Sequence, residues 1–180
     1  MKVAVVLADK GTNNPQAGTL NLLNVGWVQT QLTEHPAAPG QLLTQPHVVV
    51  AFFEVEHNLC NVPIDLVLEL LTEDGRPVSI PSPAGPQPVR VSSITTVASP
   101  AAAPIATPGS GNALIEIFPG LPLQPGTYRW QVTLAGQHHE EWYAAFRVLP
   151  PPQMPQFTFG GSVAPPQPPP PEEGTTEDPE

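Results

Sequence analysis

Thr127-Tyr128-Arg129-Trp130-Gln131-Val132-Thr133-Leu134-Ala135 alternates without a break: Tyr128, Trp130, Val132 and Leu134 fall on one side, Arg129, Gln131 and Thr133 on the other. A period of two is the mark of an extended strand with one apolar and one polar face, since successive side chains of a strand point opposite ways. A helix would scatter the four large apolar residues around its circumference. Gly136-Gln137-His138-His139 reads as the turn that follows. Beyond it, Trp142, Ala144, Phe146 and Val148 alternate with Tyr143, Ala145, Arg147 and Leu149, so a second strand is expected to fold back as a hairpin.

The same pattern extends towards the N-terminus. Residues 2–8 form a β-branched run that ends in a turn-rich segment, residues 9–18, holding Gly11, Asn13, Asn14 and Pro15. Residues 19–31 carry Leu20, Leu22, Val25 and Val28, and the period slips at Gly26, where a bulge is expected. Residues 32–46 read as a surface loop. Residues 48–55 are apolar on both faces, which suits a central strand covered from both sides. Ile64, Leu66, Leu68 and Leu70 alternate with Asp65, Val67, Glu69 and Leu71 before Glu73-Asp74-Gly75-Arg76, where Asp-Gly signals a turn. Helix competes here because Leu and Glu are good helix formers, but the period of the acids favours strand. Val89, Val91, Ile94 and Val97 suggest a further strand between loops at residues 81–88 and 98–111. Residues 113–118 form a short apolar strand, and Pro119-Gly120 and Pro125-Gly126 bracket a turn.

Composition agrees. The chain has 180 residues with 27 prolines and 14 glycines; proline denies a donor to helix interiors, so only short elements are expected. Sixteen acids stand against six bases, giving a net charge of −10. Five of those acids lie in the last nine residues, so residues 1–171 retain eleven acids and six bases. The cations Lys2, Lys10, Arg76, Arg90, Arg129 and Arg147 are scattered instead of forming a stripe, which argues against a nucleic-acid partner. One cysteine, Cys60, allows no intrachain disulfide. The opening apolar run of six residues is shorter than the roughly 7 to 15 of an export signal, and no stretch approaches the ~20 of a membrane span. No membrane association is expected, and the cytoplasm, or a virion assembled there, is the expected location.

From Pro150 onward eleven of 31 residues are proline, with a run at Pro168 to Pro171. Such a segment has too little to bury to offset its ordering entropy. The expected organisation is a β-sandwich domain over residues 1–150 and a disordered, proline-rich acidic tail over residues 151–180, with Phe157 and Phe159 able to dock on the body or on a partner. The strand pattern points to an all-β fold of two packed antiparallel sheets. Leu123-Gln124-Pro125-Gly126-Thr127-Tyr128 is similar to the tyrosine corner of immunoglobulin-like Greek keys, in which the Tyr hydroxyl bonds backbone near the start of the penultimate strand, and with that resemblance the fold class expected is a two-sheet antiparallel immunoglobulin-like (Greek-key) sandwich. Trp130 stands where an antibody domain places its second disulfide cysteine.

Three stretches carry a wider resemblance. They are Gly18-Thr19-Leu20-Asn21-Leu22-Leu23-Asn24-Val25-Gly26, Leu71-Thr72-Glu73-Asp74-Gly75-Arg76-Pro77-Val78, and residues 125–132 with the pattern Pro-Gly-x-Tyr-x-Trp-x-Val. Together they resemble a family of bacterial and phage-associated immunoglobulin-like β-sandwich proteins of similar length, over residues 1 to about 150 on the motif spacing. The resemblance implies a fold and brings no assigned activity.

His57-Asn58-Leu59-Cys60 has the spacing of half a zinc site, yet two further ligands would be needed, so a solvated loop histidine beside a buried thiol is the preferred reading. His57 and Cys60 as a nucleophilic dyad is weaker still, because a lone cysteine behaves mostly as a small buried hydrophobe. His138-His139-Glu140-Glu141 reads as a polar hairpin tip, since neighbouring residues of a strand point apart. Gly109-Ser110-Gly111 lies in a proline-rich loop and lacks the strand-to-helix context of a nucleophile elbow. Glu54 and Glu56 share one strand face and read as its solvated side. Trp27, Trp130, Trp142, Tyr128 and Tyr143 are expected to serve the core. No residue is therefore assigned a catalytic, cofactor-binding or metal-ligating role. The expected function is a non-catalytic structural or protein-interaction module, with an accessory or decoration component of a phage particle as one form and self-assembly or a protein partner implied. The alternative is a small-molecule or carbohydrate-binding module using loops 32–46, 81–88 and 98–111 as a rim.

Overall fold

The computed structural model describes residues 1–14, 19–35, 38–99 and 107–152. Its strands in chain order are β1 (Lys2–Ala8), β2 (Lys10–Asn14), β3 (Thr19–Leu23), β4 (Gln29–Gln31), β5 (Thr33–His35), β6 (Ala38–Leu43), β7 (His47–Val55), β8 (Pro63–Thr72), β9 (Ser79–Ile80), β10 (Gln87–Pro88), β11 (Arg90–Thr96), β12 (Gly109–Ile117), β13 (Gly126–Leu134) and β14 (Gln137–Leu149). A three-stranded sheet has the order β1-β7-β12, and a five-stranded sheet the order β11-β8-β13-β14-β4. The pairs β2-β3, β5-β6 and β9-β10 form short ribbons. The protein is all-β, as the alternation predicts. The tail expected from residue 151 lies, beyond Pro152, outside the described residues.

One core joins the two larger sheets. Val49, Ala51, Phe53 and Val55 of β7 contribute from one side, and Ile64, Leu66, Leu68 and Leu70 of β8 with Trp130, Val132 and Leu134 of β13 from the other. Residues 64–72 are thus strand, not helix, with Ile64, Leu66, Leu68 and Leu70 facing inward, and Glu73 begins the turn that follows. Val48 and Val50, on the opposite face of β7, are buried as well, because the β2-β3 ribbon lies across that side, with Leu22 and Leu114 meeting over Gly11. That accounts for a strand apolar on both faces. Gly111 is needed for a related reason: a Cβ there would stand 2.6 Å from the Phe53 ring.

Several boundaries differ from the sequence reading. The slip at Gly26 is a turn instead of a bulge: Asn24 and Gly26 have positive φ, and the turn is strapped to β1 by Asp9 N–H to Leu23 O (3.0 Å) and Gly26 N–H to Leu7 O (2.7 Å). It sends the chain from the β2-β3 ribbon to the five-stranded sheet, where β4 runs parallel to β14, so the sheets are not wholly antiparallel. Part of the segment read as a turn-rich loop pairs as β2, and part of residues 32–46 pairs as β5 and β6. Tyr128 donates its hydroxyl to Gln124 O at 2.9 Å, the bond expected of the corner.

The β13-β14 turn is Ala135-Gly136, both residues at positive φ (50° and 74°), a two-residue loop whose twist matches its strands. His138 and His139, expected in that turn, lie in β14. The β13-β14 register jumps from Gln131↔Tyr143 to Thr133↔His138, so residues 139–142 bulge opposite Val132. Gln131, expected on the solvated side, is buried and fills that bulge: its Nε2 donates to His139 O (2.8 Å) and Trp142 O (3.1 Å). Gln131→Leu should therefore leave two carbonyls unsatisfied and cost about 1–3 kcal/mol. A urea titration reads this as a lower midpoint at unchanged slope; an unmoved midpoint would show that the bulge does not depend on the amide.

Candidate functional site

The residues singled out for chemistry are held apart. Cys60 is buried, its thiol donating to Glu56 O at 3.7 Å, and a Cβ at Gly109 would stand 2.7 Å from its sulfur. His57 is exposed in a short 3-10 turn, His57–Leu59. Gly109, Ser110 and Gly111 open β12 and are strand, not loop. Glu54 pairs with Lys2 at 3.6 Å, and Glu56 lies 3.9 Å from the terminal ammonium. His138, His139, Glu140 and Glu141 are all exposed, with the His139 ring tilted against Trp142 at 4.4 Å between centroids. Among the described residues, no three or more His, Cys, Asp or Glu side chains come together as metal ligands would, and no helix is long and apolar enough to cross a membrane.

The most unusual surface feature is the corner after β12. Ile117 is buried, yet Phe118 beside it is 82% exposed. Pro119-Gly120 then turns the chain, and Leu121 and Leu123 return to the core. Thr44 fixes this corner from beneath: its N–H donates to Leu121 O (2.9 Å), and Leu121 N–H donates to Thr44 Oγ1 (3.0 Å). Both partners are buried, so the bonds are shielded from competing water. Gly120 has φ +125°, and any Cβ there would overlap the Thr44 carbonyl oxygen. The ring of Phe118 is thus presented by a backbone with little freedom to withdraw it.

A cleft opens on each side of that ring. One, of about 350 Å³, is lined by Thr33, His35, Leu43, Pro46 and Pro119. The other, of about 370 Å³, is lined by Asp9, Lys10, Thr12, Pro46 and Glu116. Leu42, Leu23 and Val25 are also exposed apolar residues. Sequence reading placed Phe118 at the end of an ordinary apolar strand and missed its exposure. The available signal was Pro119-Gly120, which takes the chain out of the sheet immediately after it.

Beneath lies His47, which the sequence did not single out. It is 2% exposed and shares the inward period of Val49, Ala51 and Phe53. Its Nδ1–H donates to Gln45 O at 3.0 Å. Trp27 packs edge-on against the imidazole at 5.4 Å, with Phe146 and Trp130 at 6.1 and 6.5 Å. Burial lowers its pKa below the ordinary histidine value, opposed in part by the Gln45 carbonyl. Trp130, Trp142 and Tyr128 are core residues as expected and Trp27 is half-buried against that core, whereas Tyr143 faces solvent with the Arg129 guanidinium 5.7 Å above its ring.

A third cleft, about 350 Å³, lies on the outer face of the three-stranded sheet, lined by Lys2, Ala4, Phe52, Glu54 and Ser110. Register explains the grouping: Lys2, Glu54 and Ser110 form one row across the strands, and Ala4, Phe52 and Asn112 the next. Comparison with family models, curated proteins and solved structures gave no match.

Proposed function

We propose that this chain is a non-catalytic interaction module that presents a rigid aromatic anchor to a protein partner. The observation that carries this reading is Phe118, 82% exposed on a corner tied down by buried hydrogen bonds. Aromatic anchors held ready in their bound geometry dominate protein interfaces, because they bury much area at low entropic cost. The six cations are dispersed, so the partner is a protein and not a nucleic acid. On this reading the domain is an immunoglobulin-like Greek-key sandwich acting in the cytoplasm or on a particle. The resemblance of its motifs to phage-associated proteins suggests an accessory or decoration component.

The test is capture from native lysate with wild-type chain and with Phe118→Ala as bait. Removing a hot-spot aromatic costs about 2 kcal/mol or more, roughly a 30-fold loss of affinity. The fold itself should be unaffected to within about 0.5 kcal/mol, since the ring contributes little to the core. A partner retained equally by both baits would overturn the assignment.

A second reading, a carbohydrate or small-molecule module, is favoured by the Phe52 cleft instead of the three loops proposed from sequence. Its one cation and one anion neutralise each other, which suits an uncharged polyol stacking on the ring. Thermal shift with soluble oligosaccharides tests it, since ligand at 100 times its dissociation constant adds about 2.7 kcal/mol. A flat response, or one that survives Phe52→Ala, would remove this reading.

A further inference from the structure

We infer that β11 is a self-complementary edge through which two copies of this chain pair, joining their five-stranded sheets into one. The inference deepens the interaction reading by naming one partner, a second copy, and it uses a surface remote in sequence from Phe118.

An exposed strand edge displays unpaired N–H and C=O groups, and proteins blunt it with short strands, proline, charge or a covering segment. At the other end of the five-stranded sheet, β4 has three residues. In the three-stranded sheet, β1 begins with Lys2 and lies beside β14, while β12 begins just after Pro108 and has the β2-β3 ribbon against it. Among the described residues, β11 has only the charge of Arg90 at its first position; from Val91 to Thr96 it carries no charge, no proline and no covering strand. Arg90-Val91-Ser92-Ser93-Ile94-Thr95-Thr96 is seven residues long, contains no proline or acid, and is rich in strand formers. Its one hydrogen-bonded neighbour among the described residues is β8. Ile94 is 70% exposed on its outer face, opposite the exposed Asp65.

Two-fold symmetry fixes the pairing. Antiparallel strands from identical chains must pair residues of the same face, so the axis passes through a residue and its own copy. Centring it on Ser93 gives the longest overlap: Arg90 lies opposite Thr96, Val91 opposite Thr95, and Ser92 opposite Ile94. No like charges meet. The two Ile94 side chains become diagonal neighbours, within reach of each other across the axis. An apolar side chain that is solvated in the single chain is thereby covered. The net charge of −10 on each copy opposes association over longer range, so added salt should tighten the pair.

Sedimentation or light scattering across a concentration series gives the first readout. The wild-type chain of 19.1 kDa should move to twice that mass as concentration rises, at lower concentration in high salt than in low salt. Ile94→Lys, which sets two cations on the diagonal, should weaken the pair at least tenfold. Ser93→Cys reads the register: on the axis the two thiols face each other and should cross-link in air, whereas Arg90→Cys, opposite Thr96, should not. A wild-type chain that stays at single mass at hundreds of micromolar overturns the inference, as does a dimer indifferent to Ile94→Lys. Phe118→Ala should dimerise normally, and Ile94→Lys should retain Phe118-dependent capture, so failure of either surface is told apart from failure of the other.

Discussion

Gly120→Ala is expected to destabilise the protein by about 2–6 kcal/mol, lowering the melting temperature by roughly 10 °C. Two costs add. A non-glycine residue at φ +125° sits in a backbone region that costs about 1–3 kcal/mol. The new Cβ also overlaps the Thr44 carbonyl oxygen, so the corner must shift and the reciprocal Thr44–Leu121 bonds must stretch or break in a buried site, at about 1–3 kcal/mol. Gly26→Ala separates the two effects. Gly26 also has positive φ, +83°, but nothing lies within 4 Å of its added Cβ, so only a backbone cost of about 1 kcal/mol is expected. Thermal melts followed by circular dichroism compare the pair. Equal losses in the two variants would mean that Thr44 does not hold the corner rigid, and the case for Phe118 as a preorganised anchor would weaken with it.

The strand interiors were legible because each long strand has one face that must be dry. In β13 and β14 the large apolar residues recur at period two, and the structure points Trp130, Val132, Leu134, Trp142, Phe146 and Val148 into the core. The ends of strands were less legible, because alternation reports which face is buried and not where pairing starts. Thus Gly109 and Gly111, read as loop, pack inward under Cys60, Val97 and Phe53; a strand position with no side chain has no hydrophobic signature. Gln131 obeyed the polar side of the pattern and is nonetheless buried, since the bulge at residues 139–142 creates acceptors that no local rule announces.

The candidate site was harder still. Phe118 and His47 break expectation in opposite directions, an apolar ring outside and an ionisable ring inside. Which of two neighbouring positions faces water there depends on the Thr44–Leu121 contact, made between residues 77 apart in sequence. Histidines conspicuous in sequence, His57, His138 and His139, are exposed, whereas the one built into the core had no motif around it.

His47 leads to the second large effect, a loss of stability on acidification. Burial lowers the pKa of His47 in the folded protein, while in the unfolded chain it titrates near the ordinary value of about 6.5. Between those two values the unfolded state binds more protons than the folded one, so stability falls as pH falls. The contribution is intact above about pH 6.5 and is lost progressively below it, at up to about 1.4 kcal/mol per pH unit until the folded imidazole itself takes up a proton. The structure gives the protonated ring little to compensate: Nδ1 already donates to Gln45, and Nε2 is buried without a partner among the described residues, beside the Trp27, Phe146 and Trp130 rings. His47→Phe keeps an aromatic ring in the packing and removes the titration. Urea midpoints from pH 7.5 to 5 should fall more steeply for wild type than for this variant, and the difference isolates His47 from the carboxylates common to both. Parallel curves would place the imidazole in a less costly environment than its burial implies, because a proton taken up without penalty cannot distinguish the folded chain from the unfolded one.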